Sequence, residues 1–428
     1  MRLSKSPAAR PTVRLVTLGS LVTLVVGLSA AFATSFGAAA APPEAAASKG
    51  TLRIVSSLPR TGSANAQTTT MVNGIKMAID EVGAKIDGYD ILYDDWDDAS
   101  PQRGNWDPQI EAQNANRAVK DKEIVGYIGT FNSGASKISM PVLNKDGLVM
   151  VSPANTYPGL TKPGFGEKNE PKVYRPSGKI NYFRVVPTDD LQGAVAADWT
   201  KEILAKNDPT AKKVFILHDR ELYGKGIADV FQKRSKEIGL EVVGYEGIDP
   251  KAANYKSLVT KIKQTGAQLV YFGGTTQNNA GQIAKDLRAG GVDAPMMVPD
   301  GCFETAFIDA AGAENLNGKT YITFGGLPAD KLTGKGAEFR ASYLKRYGAE
   351  PEAYAVYGYE AARVLLDAID RAPTKDRAAI LAAVAATKNF VGALGTWSFD
   401  ENGDTTNKVM SGQSVEDGKF KFVKVLGN

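Results

Sequence analysis

The stretch GYIGTFNSGASK, residues 126–137, has the pattern of a buried strand that runs into a tight turn and then into a helix. Tyr127 and Ile128 belong to the apolar strand, and glycine and hydroxyl residues fill the turn after Gly129. Glycine lets a backbone come close to a ligand, and the first N–H groups of a helix favour an anion. The stretch therefore predicts a site for a small anion at the carboxyl end of a strand.

Strands and helices alternate along the chain after residue 50. Such alternation predicts a parallel sheet with helices on both faces, the doubly wound α/β plan. The helix over 107–121 should begin with Asp107 as N-cap and Pro108 at the first helical position. The predicted strands cover residues 51–58, 89–98, 124–129, 147–153, 213–219, 240–246 and 268–274, and the predicted helices cover residues 68–86, 107–121, 133–147, 225–239 and 255–266.

Two stretches are predicted to be irregular. Residues 158–182 are rich in proline, glycine and lysine and poor in periodicity, which predicts a long surface loop. Asp94, Asp95, Asp97 and Asp98 lack the oxygen spacing of a calcium loop, so they are interpreted as a solvated acidic turn.

A faint internal repeat suggests two lobes. Residues 127–147 align without a gap on residues 271–291, and a strand that ends in proline follows each segment. Two lobes of this kind would each present the carboxyl ends of their strands, where open α/β sheets hold ligands. Facing edges predict a cleft for a small molecule between the lobes.

The first 41 residues differ from the rest of the 428-residue chain. Arg2, Lys5, Arg10 and Arg14 precede an apolar, alanine-rich run, which is typical of a secretory signal peptide over residues 1–41. Cleavage is expected within residues 36–48. The alternative is an uncleaved membrane anchor, because residues 15–43 carry no charge.

Charge and reactive residues exclude several classes of protein. Without the four basic residues of the leader, 47 basic residues balance 47 acidic ones, so neither nucleic acid nor an anionic membrane is an expected partner. Cys302 is the only cysteine and His218 the only histidine, which argues against a zinc site and against a histidine-dependent nucleophile. No phosphate loop, HExxH helix or GxSxG elbow occurs. No cofactor or metal is expected, and Cys302 should be a buried apolar residue.

Six motifs in order along residues 50–425 resemble one known family. They are YIGTFNSGAS, GLVMVSPANT, KVFILHDRELYGKG, LVYFGGTTQNNAGQ, MMVPDG and GALGTWSFDENGD. The chain resembles the branched-chain amino-acid-binding proteins of ABC importers, which are type I periplasmic binding proteins. The resemblance implies two doubly wound, Rossmann-like lobes joined by three hinge crossings, and no enzymatic activity.

The resemblance also implies ligand-binding residues. Ser133, at the helix start after GTFN, would bind the α-carboxylate of an amino acid with the helix N–H groups. The Ala154 carbonyl would accept from the ammonium, and Thr156 would donate to the carboxylate. Tyr223 and Asp300 would come from the facing lobe, with Asp300 binding the ammonium. Each residue has a local alternative: Ser133 or Thr156 as a helix cap, Tyr223 or Asp300 as a turn residue.

Three positions depart from the family pattern. Thr275 stands where the branched-chain amino-acid binders of the family have a tyrosine, and Asp300 stands where they have a glutamate. Gln67 lies nearest the place of a third aromatic residue, with an uncertain gap. The part of the site that binds the α-carboxylate and α-ammonium should therefore be retained, while the pocket for the ligand side chain is altered. Leucine-like amino acids are for this reason the default expectation for the ligand. Amides, aromatic amino acids and aromatic acids remain alternatives.

The implied function is capture of an amino acid and its delivery to the membrane permease of an ABC importer by an exported monomer. The predicted lobes are residues 51–186 plus 323–394 and residues 187–322 plus 395–428, which close on the ligand by hinge bending. Two other classes stay open at this point. The chain is alternatively a ligand-sensing domain that reports to a receptor, or an exported α/β enzyme that uses the cleft for chemistry.

Overall fold

The computed structural model describes residues 48–427, so the predicted leader over residues 1–41 lies outside the described part of the chain. The strands are β1 (Thr51–Leu58), β2 (Lys85–Ile86), β3 (Tyr89–Asp97), β4 (Ala99–Ser100), β5 (Asn105–Trp106), β6 (Ile124–Gly129), β7 (Val149–Ser152), β8 (Tyr182–Arg184), β9 (Lys213–His218), β10 (Glu241–Gly247), β11 (Leu269–Gly273), β12 (Met296–Val298), β13 (Thr320–Gly325), β14 (Phe390–Gly392), β15 (Gly395–Trp397), β16 (Met410–Glu416) and β17 (Lys419–Leu426).

The helices alternate with these strands, as the sequence pattern predicts. They are α1 (Asn65–Glu81), α2 (Pro108–Lys120), α3 (Ser133–Lys145), α4 (Asp189–Asn207), α5 (Leu222–Glu237), α6 (Lys256–Thr265), α7 (Ala280–Ala289), α8 (Thr305–Ala311), α9 (Ala313–Leu316), α10 (Lys335–Tyr347), α11 (Ala355–Arg371) and α12 (Arg377–Ala385). None of the helices within residues 48–427 combines the length and the apolar character that crossing a membrane requires.

The two main sheets are mostly parallel. The first has the strand order β2-β3-β1-β6-β7-β8, and the second has the order β10-β9-β11-β12-β13-β16-β17. In the first sheet only β2 is antiparallel to its neighbour, and in the second sheet β16 and β17 are. The order reverses between β1 and β6 and again between β9 and β11. A doubly wound sheet binds ligands in the crevice at such a reversal.

Helices cover both faces of each sheet. Along β1, Ile54 faces the core shared with α1 and α11, and Val55 faces the core shared with α2 and α3. Along β9, Phe215 packs into the core on one face of the second sheet, and Ile216 packs into the core on the other face. Alternate side chains of a strand point to opposite faces, so strands buried on both faces read as continuous apolar runs. The doubly wound prediction is confirmed.

The repeat seen in the sequence corresponds to equivalent units of the two sheets. β6, α3 and β7 form one unit, and β11, α7 and β12 form the other. Both lie beside the strand-order reversal of their sheet. They differ at the helix start, because a short 3-10 turn over Thr276–Asn278 precedes α7 whereas α3 begins directly at Ser133.

Several local predictions need correction. The first helix begins at Asn65 and ends at Glu81, because Lys85–Ile86 pairs with the start of β3 as a short strand. The irregular residues 158–182 include two 3-10 turns, Pro158–Leu160 and Lys172–Tyr174. The acidic turn is wrong, because Asp94, Asp95 and Asp97 lie in β3 and Asp98 is fully buried. The N-cap prediction for α2 is confirmed, since the Asp107 side chain accepts from the Gln109 N–H.

Candidate ligand-binding site

The predicted site residues lie at the carboxyl edges of the two sheets, on different strands. Ser133 follows β6, Ala154 and Thr156 follow β7, and Gln67 lies in α1 after β1. In the second sheet, Tyr223 follows β9, Thr275 follows β11 and Asp300 follows β12. Ser133, Ala154, Tyr223, Thr275 and Asp300 line one cavity, together with Phe131, Asn132, Gly301 and Tyr354. The fold thus brings together five of the seven predicted residues.

The start of α3 has the features of an anion site. Asn132 is the N-cap in extended conformation, without a capping bond from its side chain, and Ser133 is the first helical residue. The alternative that Ser133 is the helix cap is therefore wrong. The next residue is Gly134, where a side chain would clash with Trp106, because a Cβ would lie 2.6 Å from the Trp106 ring. The helix start thus places a positive dipole end and the Ser133 hydroxyl, which accepts from the Tyr157 N–H at 3.4 Å, at the cavity wall.

The loop after β7 is fixed by side-chain hydrogen bonds. Ser152 Oγ accepts from the N–H groups of Ala154 and Asn155 at 3.2 and 2.9 Å. The Asn155 amide donates to the Thr130 and Phe131 carbonyls at 2.9 and 3.0 Å, which ties this loop to the turn after β6. The loop therefore presents Ala154 to the cavity in a defined orientation.

Asp300 is the most heavily bonded side chain of the cavity. Its Oδ1 accepts from Tyr223 Oη at 2.6 Å and from Gln192 Nε2 at 2.8 Å, and its Oδ2 accepts from Tyr354 Oη. Tyr223 Oη also accepts from the Gly301 N–H at 3.2 Å. A carboxylate offers about four acceptor positions, so these bonds leave room for one further donor. The arrangement fits a cationic group next to Asp300.

A second buried carboxylate lies close to Asp300. Asp189, the first residue of α4, is fully buried, and neither of its carboxylate oxygens has a hydrogen-bond partner within residues 48–427. Burial, together with the negative charge of Asp300, raises the pKa of Asp189 well above its ordinary value. Burial also raises the pKa of Asp300, against the opposing effect of the Tyr223 hydroxyl. Two acids that are costly to ionise without a counter-charge favour a cationic ligand.

Two predicted residues are not at the cavity wall. The Thr156 hydroxyl is buried without a hydrogen-bond partner among the described residues, while the Thr156 carbonyl accepts from the Asp189 N–H at 2.9 Å. Gln67 is fully buried, and its amide also has no partner in the described part of the chain. The alternative that Thr156 is a helix cap is wrong. The N-cap of the 3-10 turn Pro158–Leu160 is Tyr157, and the N-cap of α4 is Thr188.

Sequence reasoning missed several residues of the site. Tyr354, Phe131, Asn132 and Gly301 line the cavity, and Asp189 and Gln192 lie behind Asp300. Tyr354 lies 54 residues after Asp300 in the sequence, and the two meet only because the chain returns to the cavity at the start of α11. The polar cluster TDDLQG at the start of α4 was a usable signal for Asp189 and Gln192. Among residues 48–427, no three His, Cys, Asp or Glu side chains are grouped to hold a metal ion.

Two doubly wound lobes with a cavity between their facing sheet edges, lined by the start of α3 and the Asp300 carboxylate, define a two-lobed binding protein for a small molecule. The model of the periplasmic binding protein family matches residues 51–419. This chain belongs to that family.

Known relatives agree with this assignment. Leu/Ile/Val-binding protein homolog 2 from Brucella abortus is 31% identical over 372 residues, which is 85% of this chain and 91% of that protein. The leucine binding protein LivK from Thermotoga maritima has a TM-score of 0.76 at 25% identity, over 88% of this chain and 99% of that one. LivJ from Streptococcus pneumoniae, solved in complex with isoleucine, has a TM-score of 0.74 at 25% identity, over 88% and 99% of the two chains.

Proposed function

We propose that this protein captures an amino acid in the cleft and delivers it to the membrane permease of an ABC importer. The observation that carries the proposal is the placement of a helix N-terminus and a carboxylate on the walls of one cavity. The start of α3 at Ser133 lies on one wall, and the Asp300 carboxylate lies on another. A helix N-terminus favours a carboxylate and a buried aspartate favours an ammonium, so the cavity is complementary to a zwitterion.

The default ligand class is branched-chain or related amino acids. The names of the Brucella relative and of the two solved structures support this class. In the proposed complex, Ser133 binds the carboxylate, and Ala154 and Asp300 bind the ammonium. The Thr156 hydroxyl lies off the cavity wall beside Asp189, and its contact with the carboxylate remains a prediction. Tyr223 orients Asp300. Thr275 and Gln67 would contact the ligand side chain or lie close to it. Tyr354 is added to this group because it lines the cavity with Thr275.

Ligand entry requires the lobes to separate. The cavity measures about 20 Å³, and a volume of about 10–15 Å³ already holds one water molecule. An amino acid is much larger, so it binds when hinge bending opens the cleft and is enclosed when the cleft closes. The chain crosses between the lobes after β8, after β13 and before β16. The predicted lobe bounds, residues 51–186 plus 323–394 and residues 187–322 plus 395–428, remain a prediction.

Export, oligomeric state and the absence of catalysis complete the proposal. A cleavable leader over residues 1–41 would direct the protein to the periplasm or the cell exterior, where the binding proteins of importers work. The protein would act as a monomer, without a cofactor and without turnover of its ligand. The closed form would be the shape that the permease recognises, because a ligand that contacts both lobes favours that form.

A thermal-shift screen of the purified protein tests the ligand class. L-leucine, L-isoleucine and L-valine should raise the unfolding temperature, because a ligand at one hundred times its dissociation constant adds about 2.7 kcal/mol of stability. The matched control compounds are 4-methylpentanoate, which is leucine without its ammonium, and 3-methylbutylamine, which is leucine without its carboxylate. Neither should stabilise the protein, because each leaves one charged wall of the cavity unpaired.

Stabilisation by 4-methylpentanoate or benzoate equal to that by any amino acid would contradict the zwitterion proposal. Mass spectrometry of the recovered ligand distinguishes an enzyme, which would return a changed compound. Uptake by cells that lack the gene distinguishes the sensing class, in which import would be unaffected.

A further inference from the structure

The Arg184 guanidinium is completely buried at the end of β8, and all three of its nitrogen atoms donate hydrogen bonds. Its Nε donates to Asp404 Oδ1 at 2.6 Å, and its Nη2 donates to Thr161 Oγ1. Its Nη1 donates to the Asn155 and Tyr157 carbonyls at 3.0 and 2.8 Å. Thr161 Oγ1 in turn donates to Asp404 Oδ2 at 3.0 Å. Four of its five N–H groups thus have a partner, which offsets the cost of burying the charge.

The two carbonyls on Arg184 come from the loop that presents the proposed ligand contacts. Asn155 and Tyr157 lie two residues apart, on either side of Thr156. The Thr156 carbonyl accepts instead from the Asp189 N–H at 2.9 Å. The carbonyls of residues 155–157 are thus each held by a hydrogen-bond donor. The preceding residue, Ala154, lies at the cavity wall. The bonds of Arg184 set the direction of the loop at its ligand-binding residues.

Arg184 also connects this loop to the segment that leads into the second sheet. The Arg184 N–H donates to the Gly403 carbonyl at 3.0 Å, and residues 184 and 404 form a parallel bridge. Arg184 is the last residue of β8, shortly before the chain crosses to α4. Asp404 lies in the segment that leads into β16. One side chain therefore joins the ligand loop to the segments that lead into α4 and into β16.

We propose that Arg184 is a positioning residue of the ligand site, which acts through the Asn155 and Tyr157 carbonyls and is held in place by Asp404 and Thr161. It does not contact the ligand. It fixes Ala154 and Thr156 in the binding orientation and ties that orientation to the hinge. The ligand role of Ala154 and Thr156 rests on the proposed function, whereas the fixing of the loop is independent of it.

Amide hydrogen exchange of the full, ligand-free protein tests the fixing of the loop. In Arg184→Lys, amides within residues 154–161 should exchange at least tenfold faster, because lysine replaces a planar fork by a single point charge. The matched control is Arg377→Lys, since Arg377 also donates to carbonyls, those of Ala118 and Ile124, in the same lobe. The control should leave the exchange of residues 154–161 unchanged. Unchanged exchange in Arg184→Lys, or an equal rise in β9 and β11, overturns the proposal.

Ligand titration then tests the coupling to binding. Arg184→Lys should weaken amino-acid binding at least tenfold, and Thr161→Val, which keeps the arginine, should weaken it less. In double-mutant cycles, Arg184→Lys should be non-additive with Thr156→Val and additive with Tyr223→Phe in the facing lobe. Additivity with both, or non-additivity with both, means that Arg184 acts only through general stability and overturns the proposal. If exchange changes as expected but no amino acid binds the wild type, the proposed function fails while the loop-fixing role stands.

Discussion

Asp300→Ala should abolish measurable amino-acid binding while the protein stays folded. The substitution removes the buried carboxylate that accepts from Tyr223, Gln192 and Tyr354 and leaves the ligand ammonium without a counter-charge. Leaving a buried charge unpaired costs about 3 kcal/mol or more, which corresponds to at least about a hundredfold loss of affinity. Isothermal titration calorimetry of wild type and variant measures the change.

The control for this loss is Asp309→Ala. Asp309 is an exposed aspartate of α8 in the same lobe, and its removal should leave the affinity within twofold. Circular dichroism should show that both variants are folded. Asp300→Ala with the affinity of the wild type would refute the ammonium-binding role of Asp300.

Gly358→Val should strongly destabilise the lobe that carries the start of α3. α1 and α11 cross at two glycines, and a Cβ at Gly358 would lie 2.4 Å from the Met71 carbonyl oxygen. A Cβ at Gly74 would lie 2.3 Å from the Ala355 carbonyl oxygen. Overpacking usually costs about 1–3 kcal/mol, and here the obstacle is backbone that no rotamer change relieves. We expect a loss of at least about 3 kcal/mol in the free energy of unfolding, measured by urea denaturation.

Ala378→Val is the matched control for that substitution. Ala378 is an exposed position of α12, where valine meets only the small helix-propensity cost of a β-branched side chain, about 0.5 kcal/mol. If the free energies of unfolding of the two variants differ by less than about 1 kcal/mol, α1 and α11 can move apart to admit the valine. That result would contradict the expected cost of the close backbone contact.

The sequence predicted the layout of the fold because periodicity reports burial directly. Residues 124–129 read as an apolar run and form β6, and residues 51–58 form β1. Predictions failed where distant residues decide the local conformation. Lys85–Ile86 continues the helical pattern but pairs with β3, and Asp98 looks like a solvated turn residue but is covered by the fold. Pairing and burial of this kind are tertiary effects that local propensity does not encode.

The candidate site was predictable in part, for a similar reason. Residues that follow strands, such as Ser133, Tyr223 and Asp300, stand at positions where the topology must converge. Tyr354 was not predictable, because its contact with Asp300 depends on how α11 returns to the first sheet. Arg184 was hidden as well, since a single arginine at a strand end gives no sign of the four residues that it connects.

A crystal structure of the protein with the amino acid that stabilises it most tests the central claim most directly. The account predicts an ammonium within about 3 Å of Asp300 and a carboxylate within about 3 Å of the N–H groups at the start of α3, which are ordinary hydrogen-bond distances. A ligand that touches neither Ser133 nor Asp300, or that occupies instead the groove between residues 164–167 and α5, would contradict it.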